Sequence, residues 1–182
     1  QKSKSAVVKK IISDVRKWGD KAVLKYERKF SNIKSNQKQI KFSNNELNKI
    51  VKNVNKTLKK SINIAYNRIK KFHSKQKNSS FNYKDKFKNE LSYKYSPIDR
   101  VGVYVPGGTA SYPSTVLMNC IPALVAGVKN IYLTTPALGS SVNPAIIYAA
   151  KKCGVKEIYK TGGPHSIAAF TYGTKSFKKV DK

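Results

Sequence analysis

Acidic side chains, histidine, cysteine and arginine are all scarce in this 182-residue chain, and each shortage argues against a class of function. Cys120 and Cys153, the only two cysteines, lack CxxC spacing and sit in apolar, helix-like settings. That speaks against a disulfide framework or a cysteine zinc site and for plain buried thiols in a reducing cytoplasm. The two histidines, His73 and His165, are too far apart in the chain to form a metal cluster from adjacent ligands. No Walker loop, nucleophile elbow or paired-carboxylate pattern occurs. Long apolar runs are missing as well. Ile121 to Val128 is punctuated by proline and glycine and falls far short of the roughly 20 residues a membrane span needs. The N-terminal "QKSKSAVVKKIISDVRKWGD" has neither an uninterrupted apolar core nor a small-residue cleavage site, so no secretory signal is read.

What is abundant is lysine. The formal net charge is +28, with 28 Lys/Arg against 7 Asp/Glu in residues 1–100 and 9 against 2 in residues 101–182. Only four of the basic residues are arginines, Arg16, Arg28, Arg68 and Arg100, whereas readers of base edges and phosphates favour the arginine fork. The lysines read as solvated helix faces in a lysine-, asparagine- and isoleucine-rich composition, without a dedicated nucleic-acid site. Between Val101 and Ala150, Lys129 is the only charge, so that segment is expected to be largely interior.

The hydrophobic period changes along the chain. Val7, Val8, Ile11, Ile12, Val15 and Trp18 follow helical spacing until "GD" at 19 and 20, and Asp20 is placed to cap a second helix through Ala22, Val23, Leu24, Tyr26 and Phe30. "KQIKF" at 38–42 predicts a short strand, and Ser43 with Glu46 predicts a capping box for the helix after it. A longer helix is expected from Lys56 to His73, with Leu58, Ile62, Ile64, Ala65, Ile69 and Phe72 inward and His73 facing the dipole at its end. Residues 74–86 read as a polar loop. "LSYKYSPIDRVGVYV" predicts two strands joined at Pro97 to Arg100. Strands at 101–105, 130–135 and 156–160 then alternate with helices near 114–127, 143–153 and 165–172. That spacing fits right-handed βαβ crossovers and a buried parallel sheet. The expected class is α/β: an N-terminal helical segment (1–90), then a doubly wound, mostly parallel Rossmann-like sheet (91–182) that is an incomplete domain.

Ligands of such a sheet collect at the carboxyl ends of its strands. Two loops there carry glycine pairs, "VPGGTASYPS" and "TGGPHS", although neither is GxGxxG and both also suit plain tight turns. Tyr104 can stack on a flat ligand or pack under its loop. Ser114 and Thr115 are placed to cap a helix, and Asn119 lies within it. His165 opens the last helix, where the positive helix end favours a neutral ring.

"RVGVYVPGGTASYPSTVLMNCIPALVAGVKNIYLTTPA", "NPAIIYAAKKCGVKEIYKTGGPHSIAAFTYGT" and "VDK" closely resemble the central part of the histidinol dehydrogenase family, and "IISDVRKWGDKAVLKYERKF" and "AYNRIKKFHSKQ" resemble its first helical segment. The resemblance implies a cytoplasmic, homodimeric zinc enzyme oxidising L-histidinol through L-histidinaldehyde to L-histidine with NAD. It implies cofactor contacts at Tyr104, Pro106, Gly107 and Gly108. It also implies one at His165, which stands where the family's GGAQAIAA-like block carries glutamine. After "VDK" the family continues into a GPGN segment, then its zinc ligands and a Glu-His base pair, so the resemblance implies a fragment that is inactive alone and holds no catalytic or metal residues. Two other readings stay open: a non-catalytic basic protein engaging nucleic acid or another polyanion, and a paralogue oxidising a different alcohol.

Overall fold

The computed structural model describes residues 2–31, 40–107, 112–137 and 142–182. Two helices open the chain, α1 (Lys2–Trp18) and α2 (Asp20–Ser31), joined at Gly19, whose φ of +53° suits glycine. Their buried stripe is narrower than the spacing predicts. Ile11, Val15, Ala22, Val23 and Tyr26 are buried, whereas Val7, Val8, Trp18 and Phe30 are exposed, because only one side of the pair meets the rest of the molecule. Asp20 does not cap α2 from outside. It lies in the first turn, buried, and its carboxylate accepts hydrogen bonds from the Thr174 hydroxyl and, at 2.9 Å, from Ser176 Oγ. A predicted cap is thus a tie between the α1–α2 corner and residues 174–176.

Ser43 and Glu46 form the expected capping box of α3 (Asn44–Lys52). Asn55 caps α4 (Lys56–Ser74) by accepting the Leu58 amide at 2.7 Å. In α4, Ile62 is buried while Leu58, Ile64 and Phe72 are exposed, contrary to expectation. His73 lies in its last turn, with Nδ1 2.6 Å from Gln76 Oε1.

Within residues 74–86, read as loop from the sequence, lies the strand β1 (Phe81–Lys84). It pairs antiparallel with β2 (Glu90–Tyr93), from Phe81 opposite Tyr93 to Lys84 opposite Glu90. The turn is closed by Asp85, whose Oδ1 accepts the amides of Phe87 and Asn89 at 2.8 and 2.9 Å. Both strands expected on either side of Pro97 to Arg100 are present, but β2 pairs with β1 and the next strand belongs to a different sheet.

That next strand, β3 (Arg100–Tyr104), begins a three-stranded parallel sheet in the order β3-β4-β5, with β4 (Asn130–Thr134) and β5 (Glu157–Tyr159). The connections are α5 (Pro113–Ala126) and α6 (Pro144–Lys152), and α7 (Gly163–Tyr172) follows β5. Side chains alternate across the sheet as a pleat requires. Val103, Ile131, Leu133 and Ile158 pack with α5 and α6 and with Leu47 of α3 and Ile62 of α4. Tyr132 and Tyr159 point the other way and pack with Val15, Ala22, Val23 and Phe170. Gly102 leaves room on that second face, since a Cβ there would come within 2.9 Å of Phe170 Cδ2. Helices thus cover both faces, and the mixed α/β class with a mostly parallel sheet matches the sequence reading.

Both sheet edges are occupied too. Residues 40–42, read as a strand, reduce to one antiparallel bridge between Lys41 and Tyr159, flanked by Phe42 N–H donating to Ile158 O at 2.9 Å; residues 38 and 39 lie outside the described part. Along β3, the Gly102 amide donates to Lys182 O at 2.8 Å and the Asp181 amide to Arg100 O at 3.0 Å. Among the described residues, no helix is long and apolar enough to cross a membrane.

Candidate functional site

Parallel pairing puts the ends of the three strands at one side of the sheet. Tyr104 lies opposite Thr134, and Thr134 opposite Tyr159. The ladder continues one step beyond β3 and β4, with the Val105 amide donating to Thr134 O at 2.9 Å and the Thr135 amide to Tyr159 O at 3.1 Å.

Pro136 joins the turns that follow. A Cβ on Gly107 would come within 2.9 Å of the Pro136 ring, and one on Gly162 would overlap it. Only glycine lets the first and third turns close on the second. Gly162 has an extended φ of −138°, so space and not backbone strain requires glycine there. Side-chain hydroxyls bind the same turns from below. Thr134 Oγ1 donates to Thr161 O at 2.5 Å, and Ser166 Oγ donates to Thr161 Oγ1 at 2.8 Å.

The predicted cofactor residues fall into two groups. Tyr104 is half-buried at the end of β3, and Pro106 and Gly107 are exposed beside it. Gly108 lies outside the described residues. His165, on the first turn of α7, is 1% exposed and faces into the molecule. Its Nε2–H donates to Glu27 Oε2 at 2.8 Å, and the rings of Tyr26 and Phe30 each lie 6.2 Å from its own. Glu27 Oε2 also accepts the Gly162 amide at 3.3 Å. Three buried polar atoms here, Glu27 Oε1, His165 Nδ1 and Thr135 Oγ1, have no partner among the described residues.

Glu27 is the residue that sequence reasoning missed. Its carboxylate is brought to the turn from α2, far away in sequence. A signal was present: Val23, Tyr26, Glu27 and Phe30 share one helix stripe, and an acid on that stripe is out of place unless it has a buried partner. Pro136 and Thr135 carried no signal distinguishable from turn chemistry.

Other expected roles resolve differently. Ser114 and Thr115 do not cap α5: Pro113 is its first residue, Tyr112 stands at the cap position, and no side chain caps that end. Asn119 is exposed and donates from Nδ2 to Thr115 O of its own helix at 2.7 Å. Cys120 and Cys153 are free, buried thiols, as expected. Their mutual hydrogen bond, with burial, pushes the Cys120 thiol well above the ordinary range. Among the described residues, no three of His, Cys, Asp and Glu stand together as metal ligands.

Comparisons with known proteins fit this arrangement. The family described as histidinol dehydrogenase matches residues 1–182. The histidinol dehydrogenase of Pelagibacter ubique (strain HTCC1062) is 53% identical over 178 residues, covering 98% of this chain and 41% of that protein. That of Carboxydothermus hydrogenoformans is 41% identical over 174 residues, covering 96% of this chain and 41% of that protein. The crystal structure of histidinol dehydrogenase from Elizabethkingia anophelis superposes with a TM-score of 0.90 at 36% identity, covering 97% of this chain and 41% of that one. The chain therefore spans about 41% of the length of these relatives.

Proposed function

The chain belongs to the histidinol dehydrogenase family, and from that premise we propose that its sheet is the NAD-side wall of an enzyme oxidising L-histidinol through L-histidinaldehyde to L-histidine. In this reading residues 91–182 form the cofactor lobe and residues 1–90 the helical segment that supports it, and the protein works in the cytoplasm as a homodimer. The observation that carries the reading is the gathering of three strand-end turns around Pro136, beside a half-buried Tyr104. Carboxyl-end turns of a parallel sheet are where nucleotides bind.

The donor set suits NAD. Tyr104 offers a ring face for stacking. Gly107, exposed after Pro106, presents backbone without side-chain bulk, and Gly108, outside the described residues, is assigned to the same loop by the family resemblance. His165 belongs to the same site through the Thr161 to Gly163 turn, which it supports from beneath. NAD, when bound, supplies the hydride acceptor. The chain's own residues bind and orient it. Zinc does not fit the described residues, which hold no group of three ligands, so no zinc-dependent step is assigned to them.

The test is complementation. The gene carrying this sequence is placed in a histidine auxotroph that cannot oxidise histidinol. Growth on histidinol without histidine is expected, and soluble expression without growth overturns the reading.

A further inference from the structure

We propose that Glu27 is a positioning residue for the proposed cofactor turn: from α2, its carboxylate holds the Gly162 amide and the His165 ring so that residues 161–163 keep one shape. The proposal rests on the NAD reading above and deepens it.

The geometry is that of a clamp. From the strand side, Pro136 presses on Gly162 so closely that no side chain fits. From the helix side, Glu27 Oε2 takes both the Gly162 amide at 3.3 Å and His165 Nε2–H at 2.8 Å. Gly162 is the N-cap of α7, and as glycine it has no side chain with which to cap the helix. Glu27, from another helix, instead accepts the amide of the N-cap residue itself, placing its carboxyl group at the positive end of the α7 dipole. Gly163, with φ of +75°, holds a left-handed turn directly against the His165 ring. Tyr26 and Phe30, one residue before Glu27 and three after it, flank that ring, so α2 delivers the carboxylate and its enclosure together.

Glu27 is fully buried, and a carboxylate is expensive to bury unless its hydrogen bonds are needed where it sits. Its partners are the cap amide and the ring at the head of α7, so its effect is delivered to the turn itself. The same arrangement leaves the inner side of the α7 N-terminus already occupied by the Glu27 side chain. Contact with a bound nucleotide is therefore left to the outer side of the turn, where Gly107 also meets Pro136.

The test compares three variants of the protein expressed from its gene by NAD titration, amide hydrogen exchange and thermal melting. Glu27→Leu removes both hydrogen bonds, Glu27→Gln keeps one acceptor, and Gly127→Ala destabilises the far, amino end of the sheet through its left-handed φ of +97°. Glu27→Leu should weaken NAD binding about tenfold, the scale expected for losing hydrogen bonds to a charged group, and should speed exchange at Gly162. Glu27→Gln should fall between it and the unaltered chain. Gly127→Ala should lower the melting temperature and leave NAD affinity unchanged. Wild-type affinity in Glu27→Leu overturns the proposal; where that variant does not fold, wild-type affinity and Gly162 exchange in Glu27→Gln overturn it. An unaltered chain that binds no NAD instead overturns the cofactor reading, and the two failures are told apart by that first titration.

Discussion

Gly162 lies against Pro136 with no room between them for a methyl group. Because the Gly162 backbone is extended, Gly162→Ala tests packing alone. The proline ring cannot fold away as a flexible side chain would, so the variant should lose about 1–3 kcal/mol, the usual cost of overpacking. Urea denaturation measures it. A variant as stable as the parent would mean that Pro136 moves freely and that the three turns are not locked together.

Tyr104 stands at the end of β3 with part of its ring open to solvent. If that ring stacks on NAD, Tyr104→Ala should weaken binding by about 1 kcal/mol. Calorimetric titration gives the answer directly. Equal affinity before and after would reduce Tyr104 to packing beneath its loop.

Glu46 links α3 to the residue after β5, with Oε1 2.6 Å from Lys160 Nζ. Burial raises its pKa, but the hydrogen bonds from Lys160 and Ser43 outweigh this and hold it below the ordinary range. A carboxylate lowered by folding stabilises the protein above its unfolded pKa, about 4.3 for glutamate, and loses that contribution as pH falls through the lower folded value. The melting-temperature gap between the parent and Glu46→Gln should therefore be widest near neutral pH and close in acid below about pH 4. A gap independent of pH would show that the pair contributes no charge-dependent stability.

His165 is enclosed by Glu27, Tyr26 and Phe30, and no third metal-ligating group joins it among the described residues. His165→Gln keeps a donor for Glu27. Elemental analysis of the protein expressed from its gene should give the same metal content before and after this change. Loss of metal would place it where neither the sequence nor the structure puts it.

The sheet was legible because buried parallel strands read as short apolar runs and their crossovers impose a spacing, so Val103, Leu133 and Ile158 could be placed from the sequence. The capping box at Ser43 and Glu46 is equally local. The β1–β2 hairpin was not legible: its side chains are exposed on both faces, so no buried face imposes a pattern, and its turn depends on Asp85 accepting backbone amides. The exposure of Trp18, Ile64 and Phe72 was hidden for the complementary reason, since helical spacing shows an apolar stripe but not how much of it a neighbour covers. At the site, the glycine-marked turns after the first and third strands could be placed from the sequence, and both close on Pro136. Glu27 depends on a long-range contact that local pattern cannot report.

Glu27 and His165 are 138 residues apart in sequence. Closing so long a stretch of chain costs entropy that only assembled contacts repay, whereas the β1–β2 hairpin and the helices need only near neighbours. The turn at Gly162 should therefore take its final shape late in folding, once α2 and α7 have met on one face of the sheet. A nascent chain with most of its secondary structure in place still lacks the turn proposed to face the cofactor, and affinity for NAD during refolding should rise after the far-ultraviolet signal does.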